Sequence, residues 1–226
     1  MNKLKCYLVG SIQAAKDSGV KWREDLTSKL VELQFHVQDP TTAECNNSLA
    51  DNIEDQKTKL YNLKRGGAWE LWDQVMGDIQ QADITCVNNS KFIIVSYDPK
   101  IPIGGTIEEI VEAHHKNIPI YTVSYAPIVE FNDWVLARLR QNFNCGGKIF
   151  PNYKQLMDFI SKEYSSYAKE YAEFLKKEEE KTKKEEEKTK KEIEEKVKKE
   201  MTESAKKHSA KDTKKEVSSN DKTEHK

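Results

Sequence analysis

The segment with most to say about chemistry in this 226-residue chain is Gly104-Gly105-Thr106-Ile107-Glu108-Glu109. It follows a continuous apolar run, Phe92-Ile93-Ile94-Val95, and then Tyr97-Asp98-Pro99. Two glycines before a helix start let the backbone come close to a ligand. They also leave N–H groups free at the helix N-terminus, where an anion or a polar sugar is favoured. Glu109 then falls in the first turn, toward the same crevice. Its carboxyl has two readings. It is a catalytic group in a cleft, or it is the partner of Thr106 in a capping box, reaching back to the N-cap amide. Asp98, directly after a strand, suits a turn or a cap. His114 and His115 have no acid or cysteine at ligand spacing and read as surface or packing residues. No metal and no cofactor are expected.

The elements that must position these residues follow from periodicity. Leu4 to Val9 reads as a first strand ended by Gly10-Ser11, and Gln13 to Val20 as a polar loop. Trp22, Leu26, Leu30 and Leu33 recur at helical spacing. Phe35-His36-Val37 is a short strand closed by Asp39-Pro40. Residues 41–65 form a polar excursion with one helix, and Trp69, Trp72, Val75, Met76 and Ile79 mark an amphipathic helix. Phe92 to Val95 fits a strand buried on both faces. A helix over Ile107 to Lys116, a strand over Ile118 to Val123, a helix over Asn132 to Arg140, a short edge strand at Lys148-Ile149-Phe150 and a helix from Leu156 complete the set. Alternation of this kind implies an α/β fold, a flavodoxin/Rossmann-like parallel sheet of about five strands flanked by helices. Ligands in such folds bind beyond the carboxyl ends of the strands.

The last 51 residues differ in kind. Residues 176–226 hold 18 Lys and 15 Asp or Glu, and no aromatic residue lies beyond Phe174. Such a segment has too little apolar surface to offset the entropy of forming a globule. Lys176 to Thr182 repeats at once as Lys183 to Thr189. Glu179–Lys183, Glu180–Lys184, Glu186–Lys190 and Glu187–Lys191 are i,i+4 pairs in the favourable order. The expectation is a domain over 1–165, then a charged extension over 166–226, helical as a continuation of the last domain helix and disordered after about 205. Ile193, Val197, Met201 and Ala205 make one thin apolar stripe along it, read as a slightly sticky face or a weak coiled-coil contact. The body keeps 19 basic and 23 acidic residues, which argues against a nucleic acid polymer as partner. Cys6, Cys45, Cys86 and Cys145 match no zinc or redox spacing, and Cys6 and Cys86 read as core residues. There is no membrane-length apolar run and no h-region after Met1, so a cytoplasmic location is expected.

Several of these segments resemble one family. Tyr7-Leu8-Val9-Gly10-Ser11 resembles the opening strand and glycine turn of nucleoside 2-deoxyribosyltransferases. Trp22-Arg23 through Leu33 and Asp39-Pro40 resemble their first helix and second strand end. Asp83-Ile84 through Asp98, and Gly105-Thr106-Ile107-Glu108-Glu109-Ile110 followed by Ala113 and Pro119, are similar to the family's aspartate, central strand and Gly-Thr/Ser-x-x-Glu helix. The likeness covers about residues 4–163, and the 26-residue interval from Asp83 to Glu109 agrees with it. It implies that Glu109 attacks the anomeric carbon of a 2'-deoxynucleoside and forms a glycosyl-enzyme ester, which a second nucleobase then resolves with retention. It implies that Asp83 contacts the base and manages its proton, that Tyr7 orients the Glu109 carboxylate, and that Gly10, Ser11, Asp98, Gly105 and Thr106 line the substrate site. The implied partners are nucleoside or nucleotide and nucleobase substrates, with a homo-oligomer, dimer or hexamer, in which a neighbouring subunit completes the site. Asn142 and Asn144 are candidates for that residue.

One position departs. Ile103 stands six residues before Glu109, where the family often has an acid that holds the sugar hydroxyls. Three other readings stand beside the transferase. An N-glycosidase of deoxynucleosides or their monophosphates would use the same Glu109 with water as acceptor, and Ser11 or Arg23 would hold a phosphate. Phosphoribohydrolases of the cytokinin type fit less well, because Pro102-Ile103-Gly104-Gly105-Thr106 lacks their Pro-Gly-Gly-x-Gly-Thr pattern. A non-catalytic nucleotide-binding module would explain Ile103.

Overall fold

The computed structural model describes residues 1–42 and 52–219, with side chains as far as residue 198. Cys45 and Asn46-Asn47 lie outside the described residues. Five strands form one sheet: β1 (Lys5–Gly10), β2 (His36–Gln38), β3 (Phe92–Ser96), β4 (Ile120–Val123) and β5 (Lys148–Phe150). All neighbours are parallel, in the order β2-β1-β3-β4-β5. The chain moves outward from β1 to β2, then crosses back to β3 on the other side of β1. The order therefore reverses between β1 and β3, and ligands of open α/β sheets bind at the strand ends beside that reversal.

Side-chain alternation along the strands divides the core in two. Tyr7, Val9, Ile93 and Val95 point to one face, under α3 (Trp69–Asn88), α4 (Gly104–His115) and α5 (Asp133–Asn142). Cys6, Leu8, Phe92 and Ile94 point to the other, under α1 (Val20–Glu32) and α6 (Tyr153–Glu163). Period-2 geometry thus decides that Tyr7 meets α3 and α4 rather than α1. Both central strands are buried on both faces, as the continuous apolar run predicts.

α2 (Ile53–Arg65) is the one helix of the 41–65 excursion among the described residues. Asn52 Oδ1 caps it, accepting from Glu54 N and Asp55 N at 3.0 Å each. Glu54 and Asp55 in its first turn and Lys64 and Arg65 in its last complement the helix dipole.

The C-terminal region differs from the expectation in its details. The last domain helix does not continue unbroken. Tyr164 leaves helical geometry at φ −103° and ψ 17°, and α7 (Ser165–Ser219) begins after it. The break lets Tyr164 pack edge-on to Phe35, at 5.3 Å, while its hydroxyl meets that of Tyr121 at 3.2 Å. The compact body then runs to Ala172, past residue 165. Tyr167 donates to Gln34 O and accepts from Leu4 N, and Tyr171 is 7 % exposed. From Glu173 the chain forms a second unit. Its backbone is helical to Ser219, farther than the expected end near 205. Among the described side chains Lys181 pairs with Glu178, at i,i+3. The four expected i,i+4 pairs are not closed there, since a fully solvated pair gains only about 0.3–0.5 kcal/mol and loses side-chain freedom by closing. Ile193 and Val197 of the thin stripe are exposed.

Candidate active site

Three side chains from three elements meet below the carboxyl end of β1. Tyr7 reaches across from β1, Asp83 comes from the last third of α3, and Glu109 comes from the second turn of α4. The Tyr7 hydroxyl lies 2.8 Å from Asp83 Oδ1 and 2.8 Å from Glu109 Oε1. Tyr7 is fully buried, Glu109 is 8 % exposed and Asp83 is half-buried. Burial is the leading cause that raises the Glu109 carboxyl well above its ordinary range, with the Asp83 charge second. Burial likewise raises Asp83. The Tyr7 hydroxyl and the Arg23 guanidinium pull both back down. Tyr7 itself is pushed far up, by burial first and then by the two carboxyls, so it keeps its proton.

The capping-box reading of Glu109 does not hold. α4 begins at Gly104, two residues before Thr106, with Ile103 at the N-cap and no side-chain cap. Thr106 is therefore the third helical residue and Glu109 the sixth, and its carboxyl bonds to Tyr7 rather than to a backbone amide. The glycines are the first two residues of the helix rather than its approach. A Cβ at Gly104 or Gly105 would meet no protein atom within 4 Å. They leave open space instead of easing a tight contact.

That space is a cavity of about 270 Å³. Gly10, Ser11, Asp83, Gly105, Thr106 and Glu109 all line it, so the fold brings these expected residues together. Its apolar wall includes Leu60 of α2 and Met76 and Ile79 of α3. The α2–α3 hairpin thus gives one side to the site, with Lys57 and Gln56 facing in among the apolar residues. Lys57 Nζ donates to Ser18 Oγ at 2.8 Å and pairs with Glu54 at 3.2 Å. Sequence reasoning missed Lys57, because the polar stretch 41–65 carries no periodicity that aims one residue at a crevice.

Asp98 is not brought to Glu109. It lines a neighbouring cavity of about 570 Å³ with Trp22, Tyr125 and Tyr153. Its carboxylate accepts from Lys100 N at 2.9 Å while Ile101 N returns to Asp98 O at 3.0 Å. The turn reading of Asp98 is the one its geometry supports. Ile103 and Ser11 line both cavities, so an apolar side chain stands in the dividing wall where the resemblance would put an acid.

Arg23 also has a different place from the one expected. It is fully buried, and its guanidinium donates to Leu8 O, Ser18 O, Gly19 O and Gly10 O, at 2.9 to 3.4 Å. Nε lies 3.7 Å from Asp39 Oδ1. Four of its five N–H groups are spent on main-chain carbonyls and it lines neither cavity, so it is not placed to hold a phosphate. It fixes the loop from Gly10 to Gly19 instead. Gly19 has φ +67°, and a Cβ there would lie 2.5 Å from the Arg23 guanidinium. The signal was readable in the sequence. Arg23 stands three residues before Leu26 and seven before Leu30, on the buried stripe itself, with Trp22 and Leu33 at its half-buried edges.

Asn142 does not suit a site in a neighbouring subunit. It is fully buried, and its side chain accepts from Ile120 N at 2.8 Å and donates to Ile118 O at 3.0 Å, tying α5 to β4. Asn144 is exposed. Cys6 and Cys86 are buried, as expected, and His114 and His115 fall in the last turn of α4. Among the described residues no group of three or more His, Cys, Asp or Glu is placed to hold a metal ion, and no helix is long and apolar enough to cross a membrane.

No family model matches the chain, and no curated protein matches it.

Proposed function

We propose that this protein cleaves the N-glycosidic bond of 2'-deoxynucleosides by a retaining double displacement and passes the deoxyribosyl group to another nucleobase. The observation that carries the reading is the buried pair of carboxyls, Glu109 and Asp83, on one tyrosine hydroxyl at the wall of one cavity. Two carboxyl groups in different environments suit two roles in glycoside chemistry. Glu109, on α4, is the nucleophile that forms the ester with the anomeric carbon. Asp83, on α3 beside Met76 and Ile79, supplies the proton that a leaving base needs and takes it back from the entering one. The apolar side of the cavity, Leu60, Met76 and Ile79, suits the flat face of a base. Ser11 and Thr106 then face the sugar, since Ile103 has no polar group to offer it. The substrates are a nucleoside or nucleotide and a free nucleobase, and the working state is a homo-oligomer.

A second reading rests on Lys57. It brings a positive charge into the same cavity as the uncapped N-terminus of α4. Both favour an anion, which suits a deoxynucleoside monophosphate hydrolysed by water through the same Glu109.

The deciding experiment is chromatography of the protein incubated with a 2'-deoxynucleoside and a different free base, beside Glu109→Gln. A new deoxynucleoside, absent with the variant, is the expected result. Free base alone, faster from the 5'-monophosphate, selects the hydrolase. No turnover of any of these by folded protein sinks both and leaves a nucleotide-binding module.

A further inference from the structure

The Tyr7 hydroxyl has one proton, and it lies at hydrogen-bond distance from two carboxyl oxygens. A phenol can donate only one of these bonds. The other contact is a hydrogen bond only when the carboxyl oxygen itself supplies the proton. The alternative leaves an anionic oxygen 2.8 Å from the phenol's lone pairs, inside a site where Tyr7 is fully buried and Glu109 nearly so. Low dielectric makes that contact costly. The geometry therefore favours one carboxylic acid in the pair.

We propose that Glu109 and Asp83 hold a single proton between them and exchange it through the Tyr7 hydroxyl. Glu109 gives its proton to Tyr7 Oη while the phenolic proton passes to Asp83 Oδ1. One O–H bond breaks and one forms at each step, and the net charge of the three groups stays at minus one. The exchange turns a resting pair, with an acidic Glu109 and an anionic Asp83, into the pair that the reaction needs. Glu109 becomes the carboxylate that attacks, and Asp83 becomes the acid that protonates the leaving base. Tyr7 touches neither the anomeric carbon nor the base in this scheme. It is a positioning residue that also carries the proton. This purpose rests on the transfer reading above, whereas the shared proton rests only on the geometry.

The surroundings agree with one proton rather than none or two. The positive charge of Arg23, on α1, acts on both carboxyls and favours an anion on one of them. Glu108 of α4 acts on Asp83, and Asp83 on Glu109, both against a second anion. Lys57 of α2 faces the cavity but is held by Glu54 and Ser18. Glu109 is the more deeply buried of the two, at 8 % exposed beside a half-buried Asp83, and a carboxyl withdrawn from water favours its neutral form, which places the resting proton on Glu109.

The test uses the full chain and has an infrared arm and a kinetic arm. At pH 7 the native protein should show the carbonyl stretch of one buried carboxylic acid. Glu109→Gln should abolish it, and Tyr7→Phe should move it to the higher frequency of an acid with a weaker partner. Two ionised carboxylates in the native protein would overturn the proposal. In single-turnover formation of the glycosyl-enzyme, Tyr7→Phe should slow the step by about 10²–10⁴-fold, the usual worth of positioned proton transfer, with KM little changed. The rate against deuterium fraction should be curved for the native chain, where several protons move together, and linear for the variant. A purely orienting tyrosine would slow the reaction and leave the curvature as it was, and that result overturns the relay. A fluorotyrosine at position 7 keeps the shape and the contacts, so an unchanged rate with this more acidic phenol also counts against it. If the native chain turns over no nucleoside, the transfer reading fails, and the infrared arm still decides the shared proton.

Discussion

At the scale of single residues, the site works against the stability of the chain that contains it. Glu109 and Asp83 both have folded-state pKa values above those of an exposed carboxyl, with burial the main cause. A group raised in this way favours the fold in its protonated form. That contribution is complete below the ordinary carboxyl range and is lost as pH rises through the folded value, about 6 for Asp83 and about 8 for Glu109. The native protein should therefore lose stability between about pH 4 and pH 8 beyond what its other groups dictate. Glu109→Gln removes the group that must ionise in the cavity. Melting temperatures should be close for the two proteins near pH 4 and should separate as pH rises toward 8, with the variant higher. A variant that melts lower than the native chain at pH 9 would mean that the Glu109 anion is well solvated or paired, against its burial. The same residues illustrate what a sequence can and cannot say. Asp83, Tyr7 and Glu109 could be named as a set from resemblance. That one hydroxyl touches both carboxyls depends on the pleat of β1 and the approach of α3 to α4, which no spacing encodes.

At the scale of elements, α4 decides what the cavity can hold. The Gly-Gly-Thr run was legible as a helix entry near a ligand, but its register was not. With Thr106 at the N-cap, Glu109 would have satisfied a backbone amide. With Gly104 as the first helical residue, Glu109 turns inward to Tyr7 and the first amides of the helix stay uncapped. The two-residue shift has no strong local signal, because Ile103 is a poor cap and the start is set by packing of Ile110 and Ala113 against β1 and β3. Gly105→Ala tests the consequence. An alanine there meets no protein atom within 4 Å and has better helix propensity, so the chain should gain up to about 1 kcal/mol in urea unfolding. The added methyl enters the cavity, so kcat/KM with a deoxynucleoside should fall. A stabilised variant with full activity would show that the ligand does not approach the start of α4. α2 illustrates the opposite limit. Its caps and end charges were written in the sequence, yet its place over the cavity depends on pairing with α3 and on the Ser18–Glu54–Lys57 contact, between residues far apart in the chain.

At the scale of the whole molecule, the alternation of strands and helices was enough to give the parallel sheet, because buried strands and amphipathic helices have different periods. The end of the body was harder to place. Composition changes gradually from Tyr164 onward, and Lys162-Glu163 and Lys169-Glu170 already stand among the tyrosines that still touch the core. Tyr164 and Tyr167 both pack on Phe35, at 5.3 and 5.6 Å, and Tyr167 ties the backbone of Leu4 to that of Gln34 through one hydroxyl. These contacts close the α1–α6 face beside β1. The helix beyond them draws on local propensity, since its exposed side chains bury no common face in the described part. Two truncations separate the roles. A chain ending at Leu175 keeps every aromatic residue and should unfold in urea at the same midpoint as the full chain. A chain ending at Glu163 loses Tyr164, Tyr167 and Tyr171, and should lose about 3–5 kcal/mol, the scale of deleting a large buried aromatic side chain. Equal midpoints for all three would mean that the tyrosines decorate the fold without holding it. A lower midpoint for the chain ending at Leu175 would instead assign stabilising contacts to the charged helix itself.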